Sequence, residues 1–337
     1  MNTAKPAFFD IVSLMKAALS KNYGPPENIK IVDVDKPVQK SDELLIKVHA
    51  SSVNRTDDGF LRAKPFVTRF FSGLTKPRNP ILGCEFAGQI IAIGDDVTLF
   101  EVGDRVFGFD DVNWGGHGQF KVVGESKSVV IIPKNCSYDQ AAASTEGAHY
   151  ALSYIQTIKK LGAKRVFVHG ATGSIGSAAV QLLKQAGMYV VASSTTKNMK
   201  LVQSLGPDDV MDWQKQDIAD YGEQFDVVFD AVGKSSFKIC KPLLNKGGVY
   251  IATELGPYAQ NPFLGLISPA YKLIGAKRVL FPLPKNNKKL IEFIASRIED
   301  ESFKPVIDRT YKLDNIIDAY KYVETGQKTG NVIINVS

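Results

Sequence analysis

The chain has 337 residues, 44% of them hydrophobic and 23% charged, an ordinary balance for a folded chain of about two domains. Its formal net charge of +6 is small and dispersed, which excludes a strongly basic nucleic-acid binder but suits an anionic small molecule. No apolar run approaches the roughly 18 residues of a membrane span. The cysteines Cys84, Cys136 and Cys240 form no CxxC pair and point to a reducing compartment, the cytoplasm, without disulfides.

Residues 1–14 carry an apolar patch broken by Asp10 and lack a small-residue cleavage site, so they read as an extension ahead of a domain starting near Met15. Short β segments follow at 44–54, 81–94, 104–109 and 118–123, punctuated by Gly, Pro, Asn and Asp. Short strands with glycine at many corners predict a small barrel-like β domain. After Gln140 the run AAASTEGAHYALSYI is small and helical.

The next stretch, RVFVHGATGSIGSAAVQLLKQAGMYVVASSTTK at 165–197, organises the chain. An apolar run at 166–168 predicts a buried strand, and Gly170, Gly173 and Gly176 follow at a spacing of three. Apolar residues at helical intervals then run to Gly187, and a second strand ends in Ser193 and Ser194. Strand, glycine turn, helix and strand open a dinucleotide-binding unit, in which glycines let the backbone approach a pyrophosphate at a helix N-terminus. A glycine-rich turn in some other α/β protein is the alternative, and the flanking elements weigh against it. An NAD-binding unit places an acid about 20 residues on. Here no acid occurs between Gly176 and Leu205, and Ser193 to Thr196 stand there with Lys197 and Lys200 behind. Hydroxyls and an ammonium accept a 2′-phosphate that a carboxylate would repel, so the expected cofactor is NADP(H), with Ser194 and Lys197 holding the phosphate. Lysines on a solvated helix face are the ordinary alternative. Buried parallel strands are expected at 208–213, 225–233 and 247–256, a late strand at 277–284, helices around 290–298 and 314–323, and a closing strand in NVIINV.

The succession VNRTD at 53–57, ILGCEFAGQI at 81–90, VGDRVFGF at 102–109, GATGSIG, FDVVFDAVG and TGQKTGNVII resembles the medium-chain dehydrogenase/reductase superfamily. Within it, the chain resembles the zinc-independent quinone oxidoreductase and enone reductase-like branch. The resemblance implies an α/β fold: a GroES-like β-barrel domain plus a Rossmann doubly wound parallel sheet. The expected units are an extension at 1–14, a GroES-like substrate domain at 15–140, a Rossmann domain at 141–285, and a segment at 286–337 returning to the first domain. Gly170, Ala171, Thr172, Gly173, Ser174, Ile175 and Gly176 would form the pyrophosphate turn, with Val232 and Gly233 by the nicotinamide ribose. Asn331 departs from a frequent family lysine.

The same resemblance speaks to metal. Asn54 stands where the alcohol-dehydrogenase branch carries a cysteine ligand, Cys84 where it carries histidine, and the third ligand position falls near Ala143. One soft ligand where two or three are needed implies no metal. Without one, an acceptor already electrophilic at carbon is expected: a quinone or an α,β-unsaturated carbonyl, reduced by hydride transfer. Asn54 is the first candidate to hydrogen-bond the acceptor oxygen, and a loop Asn bonded to its own backbone is its alternative. His117, His149 and Tyr258 are candidate proton donors, and Gly147 replaces a frequent cofactor-contacting threonine. The segment 60–78 carries Arg62, Lys64, Arg69, Lys76 and Arg78 among phenylalanines with no acid. It reads as a basic aromatic lip favouring flat or anionic acceptors, as a membrane-surface contact, or as a solvated loop packed on the barrel. The expected partner is a small molecule, not nucleic acid. A homodimer joined through 277–284 is implied by the family. A non-catalytic NADPH-binding redox sensor or partner-binding protein of the same fold is the alternative function.

Overall fold

A computed structural model describes residues 13–256, 259–284 and 287–337. Its strands in chain order are β1 (Leu14–Leu19), β2 (Lys30–Asp35), β3 (Glu43–Val53), β4 (Glu85–Ile93), β5 (Arg105–Phe109), β6 (Phe120–Gly124), β7 (Val129–Ile131), β8 (Arg165–His169), β9 (Tyr189–Ser194), β10 (Asp209–Asp212), β11 (Phe225–Asp230), β12 (Leu244–Ala252), β13 (Arg278–Leu280), β14 (Ile307–Lys312) and β15 (Asn331–Asn335).

The apolar runs of β8, β9, β11 and β12 are buried on both faces, as a parallel sheet under helices requires. That sheet runs β10-β9-β8-β11-β12-β13, with every pair parallel. The order reverses between β8 and β11, so a ligand site is expected beyond the carboxyl ends of those two strands. The glycine turn follows β8, and Val232 and Gly233 follow β11.

The other large sheet runs β14-β15-β3-β4-β5-β7, with β6 also on β3. Residues 43–47 of β3 pair with β6 and residues 50–53 with β15, so the long strand β3 shares one edge between two partners. The closing strand thus completes a sheet begun 280 residues earlier in β3, and a contiguous apolar core from Ala18 to Val336 spans both sheets. Elements absent from the sequence reading are polar or short. The helix Arg55–Arg62 (RTDDGFLR) has an interior glycine and little apolar surface, and β14 is largely exposed. The expected strand at 44–54 ends at Val53 because Asn54 turns out of the sheet to cap that helix: its backbone N–H donates to Asp57 Oδ2 at 2.8 Å. Among the described residues, no helix is long and apolar enough to cross a membrane.

Candidate active site

The glycine turn is built by close backbone approach. Gly170 has φ 82°, which favours glycine, and a Cβ on Gly176 would come within 2.2 Å of the Gly170 carbonyl oxygen. Gly173 caps the helix Ser174–Gln185, whose first N–H groups face out of the turn. Behind the turn, Ser193 Oγ lies 2.8 Å from His169 Nδ1 and accepts from the Gly170 N–H at 3.3 Å. The C-terminal segment clamps it from the other side. Gly330 N–H donates to the Thr172 carbonyl at 2.7 Å, and Ser174 Oγ donates to Asn331 Oδ1 at 2.6 Å. Asn331, expected only as a missing lysine, is therefore a brace for the turn. Gly147 lies so near that a Cβ there would meet Ser174 Oγ at 2.1 Å, which leaves no room for a threonine.

At the end of β9, Ser194 is buried and bonds the Thr195 carbonyl, while Lys197 is exposed. The buried Thr195 Oγ1 has no hydrogen-bond partner among the described residues. One carboxylate does reach this strand end. Register places Asp212 of β10 beside Ser194, and its Oδ2 accepts from Thr196 Oγ1 at 2.6 Å. The sequence window held no acid because this one comes from the next strand. Beyond β11, Asp230 Oδ1 accepts from the N–H groups of Val232 (3.1 Å) and Gly233 (2.8 Å), and its Oδ2 from the Tyr250 hydroxyl at 2.9 Å. A Cβ on Gly170 would come within 2.7 Å of Val232, so the two turns touch. Arg55 reaches across to donate to the Val232 carbonyl at 3.1 Å and to face Glu254 at 3.5 Å.

Between these turns and the antiparallel sheet lies a buried polar cluster. Asn54 is 2% exposed; its Oδ1 accepts from Lys328 Nζ at 3.2 Å, and its Nδ2 donates to Ser52 Oγ and Glu85 Oε2. Both amide hydrogens are engaged inside the protein, so Asn54 holds other groups in place instead of offering them to an acceptor. Glu85 also accepts from Thr145 Oγ1 and the Glu146 N–H, each at 2.6 Å, and Thr56 Oγ1 donates to Glu146. Burial pushes Asp57 up to about 7 and pushes Glu85 and Glu146 up as well, the like charge of Glu85 adding to the effect at Glu146. Burial pulls Lys328 below the ordinary lysine value, against the opposing pull of Glu146 and Glu85. Nothing local in the sequence singled out Lys328, because QKTG reads as a solvated turn.

The two histidines named as candidate donors are core residues. His149, expected as a proton donor, is 1% exposed between the rings of Phe109 and Tyr150, each 4.3 Å away, with Nδ1 3.3 Å from the Thr145 carbonyl. Burial lowers its pKa to about 4, which makes it neutral near pH 7 and removes the proton it was expected to give. His117 is likewise buried, with Nε2 2.7 Å from the Ser52 carbonyl. Tyr258 lies outside the described residues.

Asp57, Cys84 and Glu146 bring one possible ligand atom each within 4.8 Å of one another. The set does not fit catalytic zinc. It has no histidine and one sulfur, and the Cys84 thiol is pushed well up by burial and by the acids around it. Of the two acids, Glu146 already faces the ammonium of Lys328.

The lip segment walls a cavity of about 460 Å³ lined by Tyr23, Phe60, Phe71, Trp114, Arg78 and Asn79. Phe60 and Trp114 pack at a tilt of 52°, with centroids 4.6 Å apart. Arg69 is held within its own loop: Nη1 donates to the Leu74 carbonyl at 3.1 Å, and the guanidinium lies over Tyr23 at 4.9 Å. Arg78 is the basic residue that lines the cavity.

A doubly wound sheet with a glycine turn at its switch point, facing a buried polar cluster on a second sheet, defines a nicotinamide-nucleotide-dependent oxidoreductase. Comparison with known proteins gives the same class and the family. Residues 40–147 match the alcohol dehydrogenase GroES-like domain, and residues 205–334 match a family described as zinc-binding dehydrogenase. A quinone-oxidoreductase homolog from Spinacia oleracea is 30% identical over 95% of this chain and 98% of its own length. A 2-methylene-furan-3-one reductase from Solanum lycopersicum is 29% identical over 96% of this chain and 80% of its own. The quinone oxidoreductase of Coxiella burnetii superposes with a TM-score of 0.83 at 23% identity, covering 96% of this chain and 100% of that one. The chain belongs to the medium-chain dehydrogenase/reductase superfamily, in its quinone oxidoreductase-like branch.

Proposed function

We propose that the protein is an NADPH-dependent, zinc-independent reductase of quinones or α,β-unsaturated carbonyls. The observation that carries this reading is the apposition of the two nucleotide-side turns, 170–176 and 232–233, to a buried polar cluster that holds one ammonium and, among the described residues, no zinc donor set. The names of the relatives, quinone oxidoreductases and enone reductases, support the acceptor class. When bound, the reduced nicotinamide supplies the hydride.

The chain's own residues bind and orient. Backbone N–H groups at 173–176 would face the pyrophosphate, Thr195 Oγ1, Ser194 and Lys197 the 2′-phosphate end, and the turn held by Asp230 the nicotinamide ribose. Arg55, bonded to Val232 and paired with Glu254, joins the two sides of the cleft. Residues 15–140 with 286–337 form the substrate-side unit in this reading, and 141–285 the cofactor unit. Three free buried thiols suit a reducing compartment, and we place the enzyme in the cytoplasm.

The test is NADPH oxidation with a planar ortho-quinone and a small enone in parallel, NADH as comparison, and zinc analysis with a chelator as control. Turnover with NADPH that a chelator leaves unchanged is the expected result. Tight NADPH binding with no turnover of either acceptor moves the reading to a nucleotide-binding sensor, and activity lost with the metal moves it to a zinc enzyme.

A further inference from the structure

We propose that Lys328 is the catalytic cation of this site: its ammonium, fixed by Asn54 and Gly330, donates the hydrogen bond that stabilises the oxyanion of the reduced acceptor. The inference rests on the reductase reading and names the group that does the work a metal does elsewhere.

Its position is fixed from three sides. Lys328 Nζ donates to Asn54 Oδ1 at 3.2 Å and to the Gly330 carbonyl. Two of its three N–H bonds are thus taken among the described residues, and the third is left to donate. Gly330 in turn bridges to Gly173 and bonds Thr172, so the lysine hangs from the brace of the pyrophosphate turn. Arg55 lies close enough for its charge to act on Lys328, and its guanidinium bonds Val232 at the expected nicotinamide end. A cation between the pyrophosphate turn and the nicotinamide end is where an acceptor would meet the hydride.

The surroundings suit an electrostatic role. The charged groups facing Lys328 are Glu146 from the helix Glu146–Lys160, Glu85 from β4, Arg55 from the helix Arg55–Arg62 and Asp308 from β14. Partial burial strengthens each of these interactions and the bond to an oxyanion alike. Asn54 is then a positioning residue: it directs the ammonium through Oδ1 while Glu85 and Ser52 fix its amide. The step balances without a proton from lysine. Hydride brings its electron pair to the acceptor carbon, the π pair moves to oxygen, the oxyanion rests on the Lys328 N–H, and water supplies the proton.

Lys328→Met and Lys328→Arg test this, with 4-nitrophenol as a stable oxyanion probe and NADPH binding read by fluorescence. We expect Lys328→Met to lower kcat about 100-fold, with NADPH affinity within twofold of wild type and Lys328→Arg recovering part of the loss. Wild type should bind 4-nitrophenol as the yellow phenolate at a pH where the free phenol is neutral, and Lys328→Met should not. A kcat within threefold of wild type overturns the proposal, as does a loss confined to NADPH affinity, which would make Lys328 a cofactor ligand. If Lys328→Met does not fold, the wild-type phenolate shift together with Lys328→Arg decides, and absence of the shift overturns it. Failure of wild type to turn over any acceptor sinks the reductase reading, while the phenolate shift still reports on Lys328.

Discussion

Ser174 Oγ donates a 2.6 Å hydrogen bond to Oδ1 of Asn331, 157 residues further along the chain. Asn331 Nδ2 donates to the Val306 carbonyl at 3.0 Å, so one amide ties the start of the nucleotide-side helix to the segment leading into β14. Asn331→Leu removes both bonds and leaves Ser174 Oγ unpaired next to the turn. At about 1 kcal/mol for the bond to Ser174, NADPH affinity should fall about fivefold and Tm should drop, measured by fluorescence titration and thermal melting. Unchanged affinity would show that the brace does not shape the turn.

Cofactor choice depends on two opposed charges. Lys197→Ala should raise KM for NADPH about tenfold, on the scale of one lost charge-assisted hydrogen bond, and leave KM for NADH alone. Asp212→Asn removes the carboxylate beside Thr196 and should improve NADPH, with NADH unchanged or weaker. Steady-state kinetics with both nucleotides separates these outcomes, and an NADH preference in wild type would assign Asp212 to the ribose.

The two buried histidines should each cost stability in mild acid. His117 and His149 titrate near 4 in the folded chain because burial disfavours the imidazolium, against about 6.5 when unfolded. The unfolded chain therefore binds more protons between those values. Each histidine's contribution is complete above about pH 6.5 and is lost as pH falls towards 4, on the order of 3 kcal/mol for one such group. Asp57 acts in the opposite direction: its folded value of about 7 lies above that of a free carboxyl, so its contribution shrinks as pH rises towards 7. Urea melts of wild type and His117→Asn from pH 4 to 7 should show a shallower acid limb in the variant. Parallel curves would mean that His117 is protonated at its site.

Acceptor recognition should track Arg78, which lines the lip cavity, and not Arg69, which is bound inside its loop. Arg78→Ala should raise KM for a sulfonated quinone several-fold, on the scale of one exposed ion pair, and leave KM for NADPH unchanged. Arg69→Ala should lower Tm instead, through the lost contacts to Leu74 and Tyr23. Equal kinetic effects of the two would remove the distinction.

A second copy of the chain suits the edge of the parallel sheet. Strand β13 is that edge, and Phe263, Leu266, Leu273, Ile274 and Leu283 near it are all more than 60% exposed. We expect a dimer by light scattering and a monomer for Leu266→Glu. A monomeric wild type would leave this face to another partner.

The parts of the molecule legible in the sequence are those that depend on local pattern. The apolar runs of β8, β9, β11 and β12 and the three glycines specify burial and backbone shape within a few residues, and they appear where the pattern puts them. Contacts between distant segments were not legible. Asp212 reaches the cofactor end only through strand register, and Lys328 meets Asn54 only because β15 pairs with β3. His149 looked available as a donor because nothing nearby in sequence shows that Phe109 covers it. The helix Arg55–Arg62 went unseen since its start is set by a side-chain cap, not by apolar spacing.

The pairing of β15 with β3 also sets an order of events during synthesis. As the chain leaves the ribosome, the half of the β3 edge that takes residues 332–335 stays open until all of the nucleotide-side strands, β8 to β13, have emerged. The βαβ unit around the glycine turn needs only near neighbours and can form first, whereas the substrate side must wait for a contact of long sequence separation. An unfinished chain therefore exposes a strand edge to its neighbours on the polysome, and a chaperone that shields that edge would raise the yield of active enzyme more than one that acts on the finished chain.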